Sequence, residues 1–202
     1  MSGQSVLLVT GGIGSGKSFI IKALNVMGVP SYDCDAAAKR LYDEDSVLLC
    51  EMTEALGTGI LTPEGRIDRR ALAGLIFSDR ALLQKVESFV HPAVERDFLR
   101  WKESSGAGIV VIESAILLEK PMLRHLPDYV LVVTAPLETR ISRVMQRDRC
   151  NRDEVVRRLA SQWSDESRCA EADFIIEHDD RHAVVPALIE LLEKIENGKN
   201  RS

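Results

Sequence analysis

Residues 5–20 read SVLLVTGGIGSGKSFI: an apolar run, four glycines within six positions, then a second apolar run. Glycine gives up more backbone entropy on folding than any other residue, so a connection this rich in it answers a need for bare backbone. Gly11 to Ser18, GGIGSGKS, fit the pattern G-x-x-x-x-G-K-[ST] of a phosphate-binding loop. The match begins where a buried strand is expected to end and where a helix is expected to begin, which is the context the pattern requires.

Without Cβ atoms, successive N–H groups can converge on a polyphosphate, and the amino terminus of the following helix adds a favourable dipole. Gly11, Gly12, Ile13, Gly14, Ser15, Gly16, Lys17, Ser18 and Phe19 form the expected ATP-binding set. Lys17 is expected to reach the β- and γ-phosphates, and the Ser18 hydroxyl to coordinate Mg²⁺. Position 19 is phenylalanine, so Ser18 stands alone as the hydroxyl ligand.

Outward from this loop the chain alternates. VLLVT (6–10), GIVVIES (108–114), YVLVVTA (129–135) and ADFIIE (172–177) are short, β-branched and nearly continuous in apolar character, with VPSYD (29–33) a weaker fifth run. Such runs mark strands covered on both faces, as in a parallel sheet between helices. KSFIIKALNVM ends at Gly28, a suitable C′ residue. PLETRISRVMQRD opens on proline, and NRDEVVRRLASQW places Glu154 three residues after Asn151 in the manner of a capping box. From about 36 to 102 only helices are expected, including SVLLCEMTEALG, DRRALAGLIF and RALLQKVESFVHPAVERDFLRW. The expected fold is α/β, a P-loop NTPase with a parallel sheet flanked by helices. Its core takes in about 5–35 and 104–196, with an inserted helical lobe at about 36–103 and an arginine-bearing lid at about 140–170. The polar tail ENGKNRS is expected to fray.

In open α/β sheets ligands bind beyond the carboxyl ends of strands. Asp33 and Asp35 follow the VPSYD run; an aspartate there can accept a proton from a substrate hydroxyl, and one there can instead cap a helix. Capping is assigned to Asp35 and chemistry to Asp33. Glu113 ends a strand where an acidic residue can stand near a metal or its waters. Arg143 and Arg147 lie four apart on one helical face, with Arg140 three residues before Arg143. Arg143 and Arg147 are the candidates to carry guanidinium groups to a transferring phosphoryl group from a mobile lid.

Composition narrows the alternatives. The net charge of -5 with interleaved signs argues against a broad duplex-binding face, and 5% aromatic residues argue against a strand-binding groove. No N-K-x-D segment is present to specify guanine. Cys34, Cys50, Cys150 and Cys169 lie far apart without zinc-ligand spacing, as expected of reduced thiols. No basic-then-apolar leader opens the chain, and no apolar run approaches the roughly 20 residues of a bilayer span. The expectation is a cytoplasmic monomer acting on small molecules, with neither nucleic acid nor membrane as partner.

Several segments together resemble the dephospho-CoA kinase family over nearly the whole chain. They are TGGIGSGKS (10–18), DCDAAAKR (33–40), FVHPAV (89–94), AILLE (115–119), MQRD (145–148), RLASQ (158–162) and RCAEADFII (168–176). The resemblance implies ATP-dependent phosphorylation of the ribose 3′-hydroxyl of dephospho-CoA, with Asp33 orienting or deprotonating that hydroxyl. It implies that the helical lobe binds the CoA moiety and that His91 and Glu119 lie on the substrate side. Read from the residues alone, His91 before Pro92 is a structural histidine at a helix interruption. The chain departs from the family pattern at Ala115, where proline is usual, and at Leu75, where arginine is common. IIEHDD (175–180) also replaces an acidic-Asn-x-Gly ending, so the resemblance assigns no adenine contact there.

Overall fold

The apolar runs form five strands: β1 (Ser5–Thr10), β2 (Ser31–Asp33), β3 (Ile109–Glu113), β4 (Tyr129–Thr134) and β5 (Phe174–Glu177). The structure is a computed structural model and describes residues 3–179 and 181–199. The sheet order is β2-β3-β1-β4-β5. β1 pairs in parallel with β3 and with β4, and β4 pairs in parallel with β5. Every residue of β1 is buried, as the continuous apolar run requires of a central strand covered on both faces.

The chain divides into two compact units, Met1–Tyr32 with Ser105–Ser202, and Asp33–Ser104. In the first, α1 (Lys17–Val26) leaves the glycine loop directly. It ends in a Schellman motif: Gly28, at φ 86°, donates its N–H to the Asn25 carbonyl, and Val29 donates to Leu24. Leu7, Val9, Val111, Leu131 and Val133 form one apolar layer with Ile20 and Leu24 of α1. Val184, Leu188, Leu191 and Ile195 of the carboxyl-terminal helix α9 (Val184–Lys199) complete that layer. Each such side chain, once buried, contributes roughly 1.5–3 kcal/mol before entropy is counted. Between β4 and β5 run α6 (Leu137–Asp148), α7 (Arg152–Ala160) and the short α8 (Asp165–Cys169). Asn151 caps α7 by accepting from the Glu154 N–H at 3.0 Å, as its spacing predicts.

In the second unit α2 (Cys34–Glu44), α3 (Ser46–Leu56), α4 (Arg69–Ser78) and α5 (Arg80–Ser105) each begin beside an aspartate. Asp33, Asp45, Asp68 and Asp79 accept from backbone N–H groups at those starts, each offsetting orphan donors by about 1 kcal/mol. Leu41, Leu48, Met52, Ile60, Val86, Val90, Val94 and Phe98 are buried. Arg40 pairs with Glu44 and Asp97, and Arg69 with Asp43.

Four expectations are corrected. The cap of α2 is Asp33, whose Oδ1 accepts from Ala36 at 2.9 Å, while Asp35 lies inside the first turn. An extended φ, ψ at Asp33 (-91°, 109°) is what a cap needs, and it is the last strand residue that supplies it. Pro92 does not interrupt a helix: α5 runs through it. The cost of an internal proline, about 3 kcal/mol, is borne by a face on which Val86, Val90, Ala93, Val94 and Phe98 are all buried. The helical interval also holds one antiparallel bridge, Leu61 to Ile67, across a turn with Gly65 at φ 75°. The polar tail is helical as far as Lys199, carried by the buried Leu191 and Ile195 stripe of α9; its last residues, 200–202, and Asp180 lie outside the described residues.

Candidate active site

The glycine loop leaves the carboxyl end of β1, where Val9 stands in register with Glu113 of β3 and Thr10 with Val132 of β4. Gly16 has φ 99° and sits at the amino-terminal cap of α1, a left-handed conformation that a β-carbon disfavours. A side chain there would also collide with the His178 ring, whose Nδ1 lies 2.1 Å from the position of a Cβ. Gly12 is constrained by packing: a Cβ would lie 2.0 Å from Nη2 of Arg140.

Each carbonyl from Gly11 to Gly16 accepts from a donor. Lys17 Nζ donates to Gly11 at 2.8 Å and to Gly12 at 3.4 Å. Arg140 Nε donates to Ile13 at 3.0 Å. Arg143 Nη1 donates to Gly14 at 3.2 Å and to Ser15 at 3.4 Å. The Gly16 carbonyl accepts from the N–H groups of Phe19 and Ile20 in the first turn of α1. In a trans, planar peptide the N–H points opposite to the C=O. Turning the Ile13 and Ser15 carbonyls toward cationic side chains therefore turns the N–H groups of Gly14 and Gly16 the other way. Amides so directed at the start of a helix are an anion-binding nest. The arrangement can hold and neutralise a polyphosphate.

Arg143 also donates through Nη2 to the His178 carbonyl at 3.0 Å. The His178 ring stacks on Phe19, with centroids 4.8 Å apart and planes 17° from parallel. The residue directly after the loop lysine and serine is thus packed against the segment that follows β5. Asp179 accepts from the N–H groups of Arg181 and His182, which, with the His182 side chain, lower its pKa to about 2.

Behind the loop lies a network of charges. Arg140 is buried and pairs through Nη1 with Asp165. Asp165 also faces Arg168 at 3.5 Å, and Arg168 donates to Glu119 at 3.3 Å and to the Trp163 carbonyl at 2.6 Å. Arg168 is 1% exposed. Burial pushes its pKa below the ordinary guanidinium value, and the carboxylates of Glu119 and Asp165 oppose that shift.

The predicted site residues have different surroundings. Lys17, at the start of α1, and Arg143, on α6, both donate to carbonyls of the loop. Ser18 is exposed in the first turn of α1, and Glu113 is half-buried at the end of β3. Arg147 instead grips Asp148, at 2.7 and 3.1 Å, and Arg158 joins the same carboxylate at 2.7 Å. These guanidinium groups, Arg147 first, hold the Asp148 pKa down to about 2. Glu119 accepts from the Trp163 N–H as well as from Arg168. Asp33 closes β2 and caps α2, and His91 is half-buried within α5.

Sequence reasoning assigned no site role to Arg140, Gln162, Asp165 or His178. Gln162 Oε1 accepts the Ile13 N–H at 3.0 Å across 149 positions of sequence. A signal existed for Arg140, which stands four before the buried Val144 and beside the buried Ile141 on α6. A charged residue on the apolar stripe of an otherwise amphipathic helix requires a partner.

The family model for dephospho-CoA kinase matches residues 5–183. The dephospho-CoA kinase of Porphyromonas gingivalis is 36% identical over 188 residues, spanning 93% of this chain and 92% of that protein. Among solved structures, TT1252 from Thermus thermophilus superposes with a TM-score of 0.80 at 33% identity, covering 96% of this chain and 97% of that one. The dephospho-CoA kinase from Campylobacter jejuni gives a TM-score of 0.68 at 26% identity, covering 97% and 99%. A phosphate-binding loop on a five-stranded α/β sheet, in a chain matched along nearly its whole length by one kinase family, leaves a single assignment: this chain belongs to the dephospho-CoA kinase family.

Proposed function

We propose that this chain transfers the γ-phosphoryl group of ATP to the ribose 3′-hydroxyl of dephospho-CoA, giving CoA and ADP in the last step of coenzyme A biosynthesis. The observation that carries the reading is the cation-backed loop of residues 11–16 in a chain of this family. Lys17 exchanges its carbonyl partners for the β- and γ-phosphates. Arg143 and Arg147 supply positive charge as the phosphoryl group passes between oxygens, the dominant need in a loose transfer; to do so Arg143 leaves the Gly14 and Ser15 carbonyls and Arg147 leaves Asp148.

Asp33 accepts or orients the proton of the 3′-hydroxyl. Its free energy as a cap and its chemistry use different oxygens, since Oδ1 takes the Ala36 N–H. The helical unit of residues 33–104 binds the CoA moiety, with His91 on the substrate side. Glu119, its carboxylate oriented by Arg168, is a further substrate-binding residue.

The residues present suit Mg²⁺. The cation favours oxygen donors, keeps several waters and is commonly held by one or two protein groups together with substrate phosphates. Ser18, exposed in the first turn of α1, offers one such oxygen, and Glu113, beside the end of β1, offers a carboxylate for its waters. When bound, the ion neutralises charge on the β- and γ-phosphates. Among the described residues no helix is long and apolar enough to cross a membrane, and the reading is of a cytoplasmic monomer.

The test is ADP release with Mg²⁺ATP and a panel of acceptors: dephospho-CoA, AMP, CMP and shikimate. Turnover selective for dephospho-CoA supports the reading. Equal or faster turnover with another acceptor overturns it.

A further inference from the structure

Both polar backbone groups of Ile13 are held by side chains far along the chain. Its N–H is taken by Gln162 Oε1 at 3.0 Å, and its carbonyl by Arg140 Nε at 3.0 Å. The two peptide planes that flank Ile13 are thereby fixed, and the second of them carries the Gly14 N–H. The guanidinium of Arg140 occupies the space in which a side chain at position 12 would sit, and the Arg140 carbonyl lies 2.6 Å from where a Cβ of Gly14 would be. The loop is pressed against the first turns of α6 as well as hydrogen-bonded to them.

We propose that Arg140, held by Asp165, is a positioning residue for the phosphate-binding loop: it sets the Ile13 carbonyl, and through that peptide plane aims the Gly14 N–H at the bound nucleotide. Three features support this beyond a structural role. Arg140 is 6% exposed, so its charge is not spent on solvent. Its Nη1 is engaged by Asp165 of α8, which fixes the guanidinium plane and leaves Nε directed at Ile13. Asp165 in turn meets Arg168, and Arg168 meets Glu119, so the orientation of the fork is set from α8 and from the segment after β3.

The consequence is preorganisation. A loop that already holds its N–H groups in the binding arrangement binds nucleotide without first ordering itself. If loss of the pin lowers the population of that arrangement to about one tenth, the apparent Kd for nucleotide rises about ten-fold. The acceptor site, which does not use this peptide, keeps its affinity.

The inference rests on the reading of the loop as the ATP site, and the experiment separates the two. MgADP affinity is measured calorimetrically without acceptor for the wild-type chain, Arg140→Met and Asp165→Asn, followed by KM for ATP and for dephospho-CoA. Wild-type chain that binds no MgADP would remove the nucleotide reading and this inference with it. The expected result is wild-type binding, with Kd and ATP KM raised about ten-fold in Arg140→Met. A smaller rise in MgADP Kd and ATP KM is expected in Asp165→Asn, and the KM for dephospho-CoA is expected to be unchanged in Arg140→Met, which leaves the Asp165, Arg168 and Glu119 contacts in place. The double variant should lose little beyond Arg140→Met alone, because both changes act through one guanidinium. Should Arg140→Met fail to fold, Asp165→Asn decides by its MgADP affinity alone, a raised Kd supporting the proposal and an unaltered one overturning it. Unaltered MgADP affinity, or an equal loss toward both substrates, would overturn the proposal.

Discussion

Arg168→Met removes a guanidinium that is 1% exposed and leaves its partners in place. Arg168 contributes a 2.6 Å hydrogen bond to the Trp163 carbonyl and charge contacts to Glu119 at 3.3 Å and Asp165 at 3.5 Å. Removing one partner of a buried ion pair costs about 3–5 kcal/mol, because the other charge is left without compensation. Here Glu119 and Asp165 have side chains 19% and 27% exposed, so water relieves part of that cost. The expected loss is about 3 kcal/mol, the lower end of the range. For a chain of this size that corresponds to a fall in Tm of about 6–12 °C. Circular dichroism melts at neutral pH measure it, with a urea series as the check. Adding Glu119→Gln to Arg168→Met should restore part of the loss by removing the stranded carboxylate. A single variant within 1 kcal/mol of wild type would refute the claim that this charge network stabilises the segment between β4 and β5.

Asp33→Asn should lower kcat by a large factor while ATP affinity is retained, since asparagine caps a helix as well as aspartate does and α2 keeps its start; single-turnover kinetics beside MgADP binding check this, and loss of nucleotide affinity alone would contradict it. Lys17→Ala should abolish phosphoryl transfer, measured as ADP release, because it removes the charge destined for the β- and γ-phosphates; turnover like that of wild type would refute the assignment. Asp148 has a folded-state pKa lowered from 3.8 to about 2 by Arg147 and Arg158. A depressed carboxylate pKa stabilises above the unfolded value, and that contribution is lost as pH falls from about 4 to about 2. A carbon-detected NMR titration of the Asp148 carboxyl should show a midpoint near 2, and a midpoint near 3.8 would count against the Arg147 and Arg158 pairing.

The loop and the strands are legible in the sequence because their determinants are local. A strand buried on both faces must be apolar at nearly every position, and β1, β3 and β4 are. A phosphate nest must lack side chains where backbone or ring atoms approach, and Gly14 and Gly16 do. The helix starts at Asn151 and Asp68 are legible for the same reason, since a cap and its N–H are three residues apart.

What escaped sequence reading depends on partners distant in the chain. The Arg140 contact with Ile13 spans 127 positions and the Gln162 contact spans 149, and no spacing rule links them. Asp33 and Asp35 illustrate a subtler difficulty. Both are aspartates and suit a cap, and the extended backbone at the end of β2 makes Asp33 the one that serves. Pro92 shows packing overriding a local preference, because the buried stripe of α5 continues on both sides of it.

The most direct measurement is the identity of the product formed from Mg²⁺ATP and dephospho-CoA. Mass spectrometry with ³¹P NMR is predicted to find one added phosphate, on the ribose 3′-oxygen, in amounts equal to the ADP released. A phosphate at another position, or ADP released without a phosphorylated acceptor, would contradict the account.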